Sequence, residues 1–204
     1  VSAVKEHKKS FRESQFEARE IAIVNATNEL LASKGYDAMV MDDIANSVGI
    51  AKGSLYKHFA SKEALAAAVM IQLIRKTRQA LAEVSDDLSA WDQIRAILEW
   101  TLRERLDGGV PHLPQSSQAL RDFLTNDGEY VDELMELSDS LGELIEQAKR
   151  DGAMRANLND SFVLYYVYAR SCDPTLDYLK DGGAMSDDEI VAELVTTTMN
   201  GLAA

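Results

Sequence analysis

Cysteine is nearly absent from this 204-residue chain, which has only Cys172. One thiol excludes an intrachain disulfide framework and any metal site built from several thiolates. Proline occurs three times and glycine eleven times, so few turns and long regular elements are expected. No apolar run approaches the ~20 residues needed to span a bilayer. The first residues, VSAVKEHKKSFRESQF, lack the apolar stretch of a secretory signal. A soluble cytoplasmic protein is expected, without membrane contact. Catalytic signatures are missing as well. There is no GxSxG, HExxH, P-loop or GxGxxG pattern, and His7, His58 and His112 lie far apart in sequence. We therefore expect no catalytic residues, no metal and no cofactor.

Positive charge is scarce overall: 21 basic side chains face 34 acidic ones, for a net charge of −13. The deficit is uneven. Residues 1–63 hold nine of each sign, whereas residues 64–204 hold twelve basic and twenty-five acidic. Between Asp43 and Glu63 there is no carboxylate at all, yet Lys52, Lys57, His58 and Lys62 fall in that window. A polyanion requires such a surface, and a carboxylate on it would face the phosphates. Two units with different electrostatic duties are implied.

Hydrophobic periodicity is close to 3.6 throughout, with no sustained alternation of period two, so the fold is expected to be all-α with about nine helices. The first helix is expected over residues 13–34, with Ile23, Thr27, Leu30 and Leu31 on one face and Gly35 as its stop. Short helices follow over 42–48 and 52–59, and Ser61 caps a long one reaching residue 83. Further helices are expected over 91–106, 116–125, 130 to about 150, 161–172 with a short continuation after Pro174, and 187–200. The stretch DGGVPHLPQ is the clearest loop.

Residues 41–60, MDDIANSVGIAKGSLYKHFA, have the plan of a helix-turn-helix. Ala45 is small where the helices cross. Gly49 sits four residues later, where the turn wants a left-handed backbone. Ile44, Val48, Ile50 and Leu55 peg the crossing. Lys52, Gly53 and Ser54 open the second helix with side chains that let it approach DNA, and its backbone amides favour phosphate. Tyr56, Lys57, His58 and Lys62 suit phosphate oxygens, which position a protein without reading sequence. Lys5, His7, Lys8, Lys9 and Arg12 form a basic arm expected to be flexible over residues 1–12.

The segment IVNATNELLASKGYDAMVMDDIANSVGIAKGSLYKHFASKEALAAAV, residues 23–69, resembles the DNA-binding domain of TetR-type transcriptional regulators. The resemblance implies a three-helix DNA-binding head (residues 13–60), a helical effector-binding and dimerisation body (61–204), double-stranded operator DNA and a small-molecule effector as partners, and a homodimer. It also implies that Lys52, Gly53 and Ser54 enter the major groove while Tyr56, His58 and Lys62 hold phosphates. Two positions depart from the family. Val40 stands where threonine or serine often caps the second helix, and Asp42 stands where many members carry arginine.

Residues 84–204 carry no motif. A helical body that encloses a ligand lines it with apolar side chains and a few polar tips; Trp100, Met135, Tyr165, Tyr168 and Cys172 are the expected lining. Residues 161–169 are apolar nearly all round. Ile190, Leu194, Val195, Met199 and Leu202 share a face of the last helix, so both helices are expected to pair with their symmetry mates. The leading function is a ligand-responsive dimeric repressor. The alternatives are a helical interaction protein that has lost specific DNA binding and a helical enzyme with an unrecognised site.

Overall fold

A computed structural model describes residues 10–111, 113 and 117–204; Lys5, His7, Lys8, Lys9 and His112 lie outside it. Ten helices follow one another: α1 Phe11–Ala38, α2 Met41–Val48, α3 Lys52–His58, α4 Lys62–Glu83, α5 Ala90–Leu106, α6 Gln118–Asn126, α7 Gly128–Arg150, α8 Asp160–Ser171, α9 Thr175–Gly182 and α10 Asp187–Leu202. The all-α expectation holds. The continuation past Pro174 is a separate helix, α9, which takes the count from about nine to ten. Among the described residues no helix is long and apolar enough to cross a membrane.

Helix starts follow local side-chain chemistry. Ser10 accepts from the Glu13 backbone while the Glu13 carboxylate accepts from the Ser10 backbone, a reciprocal box that starts α1 at Phe11. The helix therefore starts two residues ahead of the expected position 13, and Phe11 and Arg12 are helical. Ser186 starts α10 with a second such box, while Ser61, Ser89 and Asp127 cap α4, α5 and α7 by accepting one backbone N–H each. Val40 caps nothing at α2, as its side chain dictates, but Asp42 and Asp43 lie in the first turn, where the helix dipole favours them. Gly35 leaves the helical conformation, at φ 74° and ψ 168°, so the last residues of α1 turn away from its axis.

Three apolar clusters hold the helices together. The head cluster gathers Ile23 and Leu31 of α1, Ile44 and Ala45 of α2 and Leu55 of α3, and it extends to Leu65, Ala66 and Val69 of α4 and Leu120 of α6. The packing therefore does not divide at residue 60. A second cluster joins α5, α7, α8, α9 and α10 around Leu98, Ile145, Val163 and Leu176. The third, Ile74, Ile97, Leu137 and Leu141, lies where α4, α5 and α7 meet. Polar bonds also tie head to body: Gln72 donates to Asn25 at 3.0 Å, and Asn28 reaches the Gly108 carbonyl at 3.4 Å.

One packing expectation is overturned. Ile190, Val195, Met199 and Leu202 are buried in the protomer's own core. The apolar face of α10 is consumed within the chain, because α10 packs on α5 and α9. What α10 turns outward is acidic toward its start, with Asp187, Asp188, Glu189 and Glu193, and small toward its end, with Thr196, Thr197 and Asn200. On α8, by contrast, Phe162 and Tyr165 are 55% and 70% exposed.

Candidate nucleic-acid interface and effector cavity

The α2–α3 turn is built as its sequence requires. Gly49 adopts φ 71° and ψ 33°, a left-handed geometry costly for any residue with a Cβ. Its own N–H and that of Ile50 return to carbonyls in the last turn of α2, with Ile50 bonding Ala45 at 2.9 Å. Ala45 is buried at the crossing, and Ile44 and Leu55 are fully buried beneath it. The rotation of α3 is thereby fixed, and Lys52, Gly53, Tyr56 and Lys57 are left exposed. Gly53 has open space where a Cβ would stand. Nothing inside the chain demands a residue that costs a helix about 1 kcal/mol relative to alanine.

The exposed bases are not equally free. Lys52 Nζ lies 2.7 Å from the Asp42 carboxylate. This hydrogen bond, and then the charge of Asp42, raise the lysine's pKa. The residue expected to read bases is thus tethered by the one that departs from the family pattern. Lys62 Nζ sits 4.2 Å above the Tyr36 ring and donates to the Asp37 carbonyl at 3.4 Å. Tyr36 in turn donates to Glu63 at 3.0 Å. Burial, followed by this bond to a carboxylate, pushes the Tyr36 hydroxyl's pKa well above its ordinary value. The carboxyl of Glu63 is held below its usual range, first by a backbone N–H and then by Tyr36. Lys62 is therefore oriented by a buried phenol; no sequence pattern signals that arrangement.

His58 departs from its expected role. Its side chain is only 3% exposed, stacked 4.1 Å from the Phe16 ring with Nδ1 3.4 Å from Glu20. The last residue of α3 faces back onto α1, so its imidazole anchors the helix rather than facing a phosphate. Lys52, Gly53, Ser54, Tyr56, Lys57 and Lys62 remain as the candidate DNA surface.

A cavity of about 320 Å³ opens in the body between α4, α5, α7 and α8. Of the five residues named from the sequence, Tyr165, Tyr168 and Cys172 line it, and Trp100 and Met135 do not. Trp100 packs on the third cluster, and Met135 is 58% exposed on the outer side of α7. Tyr130, Ser138, Thr77 and Thr101 also line it and were not anticipated. Tyr130 and Leu134 stand on the legible apolar stripe of α7, but such a stripe reads the same whether it meets core or cavity.

Comparisons with known proteins agree with this geometry. The family model for bacterial regulatory proteins, tetR family, matches residues 23–69. The chain is 24% identical over 196 residues to the transcriptional repressor KstR2 of Rhodococcus jostii, covering 91% of each chain. The fatty acid degradation regulator FadR of Bacillus halodurans superposes with a TM-score of 0.68 at 17% identity, covering 96% of this chain and 98% of that one. FadR of Bacillus subtilis, solved in complex with stearoyl-CoA, gives 0.67 at 16% identity over 89% and 98%. A tight helix-turn-helix whose second helix carries no carboxylate, the family match on those same residues and a shared fold along nearly the whole chain lead to one conclusion: this is a TetR-type, DNA-binding transcriptional regulator.

Proposed function

We propose that the chain is a cytoplasmic homodimeric repressor, with no catalytic role, released from operator DNA when a small molecule fills the body cavity. Residues 13–60 serve as the DNA-binding unit and 61–204 as the effector and dimerisation unit. The observation that carries this reading is the outward face of α3, which has no carboxylate of its own and is continued by Lys62 at the start of α4; in this reading Lys52 and Ser54 meet base edges, and Tyr56, Lys57 and Lys62 meet phosphates. The cavity provides a second site, and the repressor relatives support the direction of control.

The dimer reading rests on α8. Phe162, Tyr165 and Ala169 are exposed at helical spacing and form one apolar stripe. The small residues that α10 turns outward let a second copy approach closely. Pairing by a two-fold axis would hold two α3 helices on one side, suited to half-sites about 34–36 Å apart. An effector then acts by binding one head spacing more tightly than another.

The test is binding to DNA upstream of the chain's own gene, as a function of salt. Phe162→Glu should leave folding intact, because the residue is exposed in the first turn of α8. It should give monomers in sedimentation and at least about a hundredfold weaker binding to a two-fold operator, as expected when the second half-site is lost. A wild-type protein that is monomeric at micromolar concentration would remove the dimer from this reading.

A further inference from the structure

We propose that the effector is an uncharged, mainly apolar molecule bearing a hydroxyl group, and that the cavity rejects carboxylates and coenzyme A thioesters. This proposal rests on the reading of the body cavity as the effector site. Among the described residues, no charged side chain lines that cavity. At about 320 Å³ it lies near the small end of ligand pockets, which run from about 300 to 1,000 Å³.

The polar groups inside are biased toward accepting. Thr77 donates to the Leu73 carbonyl at 2.9 Å, and Thr101 to Ile97 at 2.7 Å. Ser138 donates to Leu134 at 2.7 Å, and Ser171 to Tyr168 at 2.8 Å. A hydroxyl has one hydrogen and two lone pairs, so these four offer a ligand only acceptors. The Tyr168 hydroxyl lies 3.1 Å from Ser138 Oγ. Either hydroxyl can be the donor in this pair; with the serine hydrogen kept on its own helix, Tyr168 donates and presents only lone pairs to a ligand. A carboxylate is acceptor-only: it could accept from the Tyr130 and Tyr165 hydroxyls but would leave the other polar groups facing it as acceptors, with no cation in the lining to offset its charge. An alcohol donates to any of them and can accept from Tyr130, whose hydroxyl has no hydrogen-bond partner among the described residues. Burial raises the pKa of both Tyr130 and Tyr168, in keeping with walls that disfavour charge.

The surroundings repel anions as well. On α4, Arg75 is held by Glu129 and Glu133, and Arg78 by Glu133 and Glu136. Helix α7 carries seven carboxylates, and its two bases, Lys149 and Arg150, stand at its far end, paired with Asp160 and Glu146. The phosphates of coenzyme A require unpaired bases, and those beside the cavity on α4, Arg75 and Arg78, are already held by carboxylates; the unpaired Lys62 stands at the head end of α4 and does not line the cavity. Bacillus subtilis FadR shares the fold and was solved with stearoyl-CoA; in this chain no charged side chain lines the cavity among the described residues.

A matched ten-carbon series tests the proposal on the full chain: 1-decanol, decanoate and decanoyl-CoA, with menthol as a compact alcohol. Tryptophan fluorescence reads binding, protection of Cys172 from N-ethylmaleimide locates it, and operator release reads its effect. Cys172 is the only cysteine and lines the cavity. At pH 8 an alcohol should bind at least tenfold more tightly than decanoate, and decanoyl-CoA should not protect Cys172. Decanoate should improve toward pH 5, as its carboxyl becomes protonated. Decanoate or decanoyl-CoA matching the alcohols at pH 8 with Cys172 protected would overturn the uncharged class while leaving the cavity as effector site. If neither alcohol binds nor protects Cys172, the effector-site reading itself fails, and the ligand class falls with it.

Discussion

Head and body treat their basic side chains in opposite ways. On the helix-turn-helix face, bases are exposed and sparsely paired: Lys52 has one carboxylate partner, and Lys57 has none among the described residues. On the helices around the cavity, the bases are neutralised in place, some by two carboxylates. Arg103, for example, is held by Glu99 and Asp188. Net charge therefore says little about what either part binds. The head keeps its field for a polyanion, and the body cancels its own, leaving a cavity whose walls carry no charge. A chain with a deficit of bases can serve DNA because the few it has are left free where phosphates come.

The largest break in this comparison should come from the head's core. Leu55 is fully buried and is the main apolar anchor of α3. Leu55→Ala should cost on the order of 2–5 kcal/mol, the range for emptying a packed leucine site. Operator binding should vanish. The body, with its own clusters, should retain helical signal and ligand-dependent fluorescence. Two unfolding transitions in calorimetry would confirm separable units. A single transition lowered as a whole would mean that α4 and α6, which share the head cluster, fuse the two energetically.

A smaller effect should separate reading from holding. Lys52→Ala should change which operator sequences are preferred, because the residue stands at the start of α3. Lys62→Ala should weaken binding to all sequences alike and lower the salt slope by about 0.9, the value per phosphate neutralised on duplex DNA. Measured affinities on a randomised operator library across a salt series would decide it. An altered preference from Lys62→Ala, with none from Lys52→Ala, would reverse the two roles.

Much of this architecture was legible in the sequence because it rests on local rules. Gly49 predicts its left-handed turn, Ser61 its cap, and the spacing of Ile23, Thr27 and Leu31 the buried face of α1. What was not legible depends on neighbours distant along the chain. His58 looked like a phosphate donor until α1 closed over it with Phe16 and Glu20. The apolar face of α10 looked like a dimer seam, yet α5 and α9 already cover it. Trp100 and Tyr130 are both half-buried aromatics on body helices. Both pack against the third cluster, yet only Tyr130 also lines the cavity, a difference set by how the helices meet rather than by residue type.

The smallest expected effect concerns Asp42, the carboxylate that interrupts the contrast by sitting beside the DNA face. Its oxygen is 2.7 Å from Lys52 Nζ, with both side chains more than half exposed. An exposed pair of this kind adds little to folding. Its importance lies in binding, where the lysine must leave or share the carboxylate, and the carboxylate must then face phosphate. Asp42→Asn keeps the shape and removes the charge. Loss of one acidic group from the first turn of α2 costs about 0.3–1 kcal/mol, and Asp43 remains there, so the thermal midpoint should fall only slightly. Affinity for all DNA should rise severalfold, and the salt slope should steepen by up to about one counterion. Discrimination among operator sequences should fall, because a freed lysine can follow any phosphate, whereas a tethered one is aimed at base edges. Unchanged affinity with an unchanged slope would show that Asp42 lies outside the field of the bound duplex. A rise in affinity with discrimination intact would show repulsion without aiming.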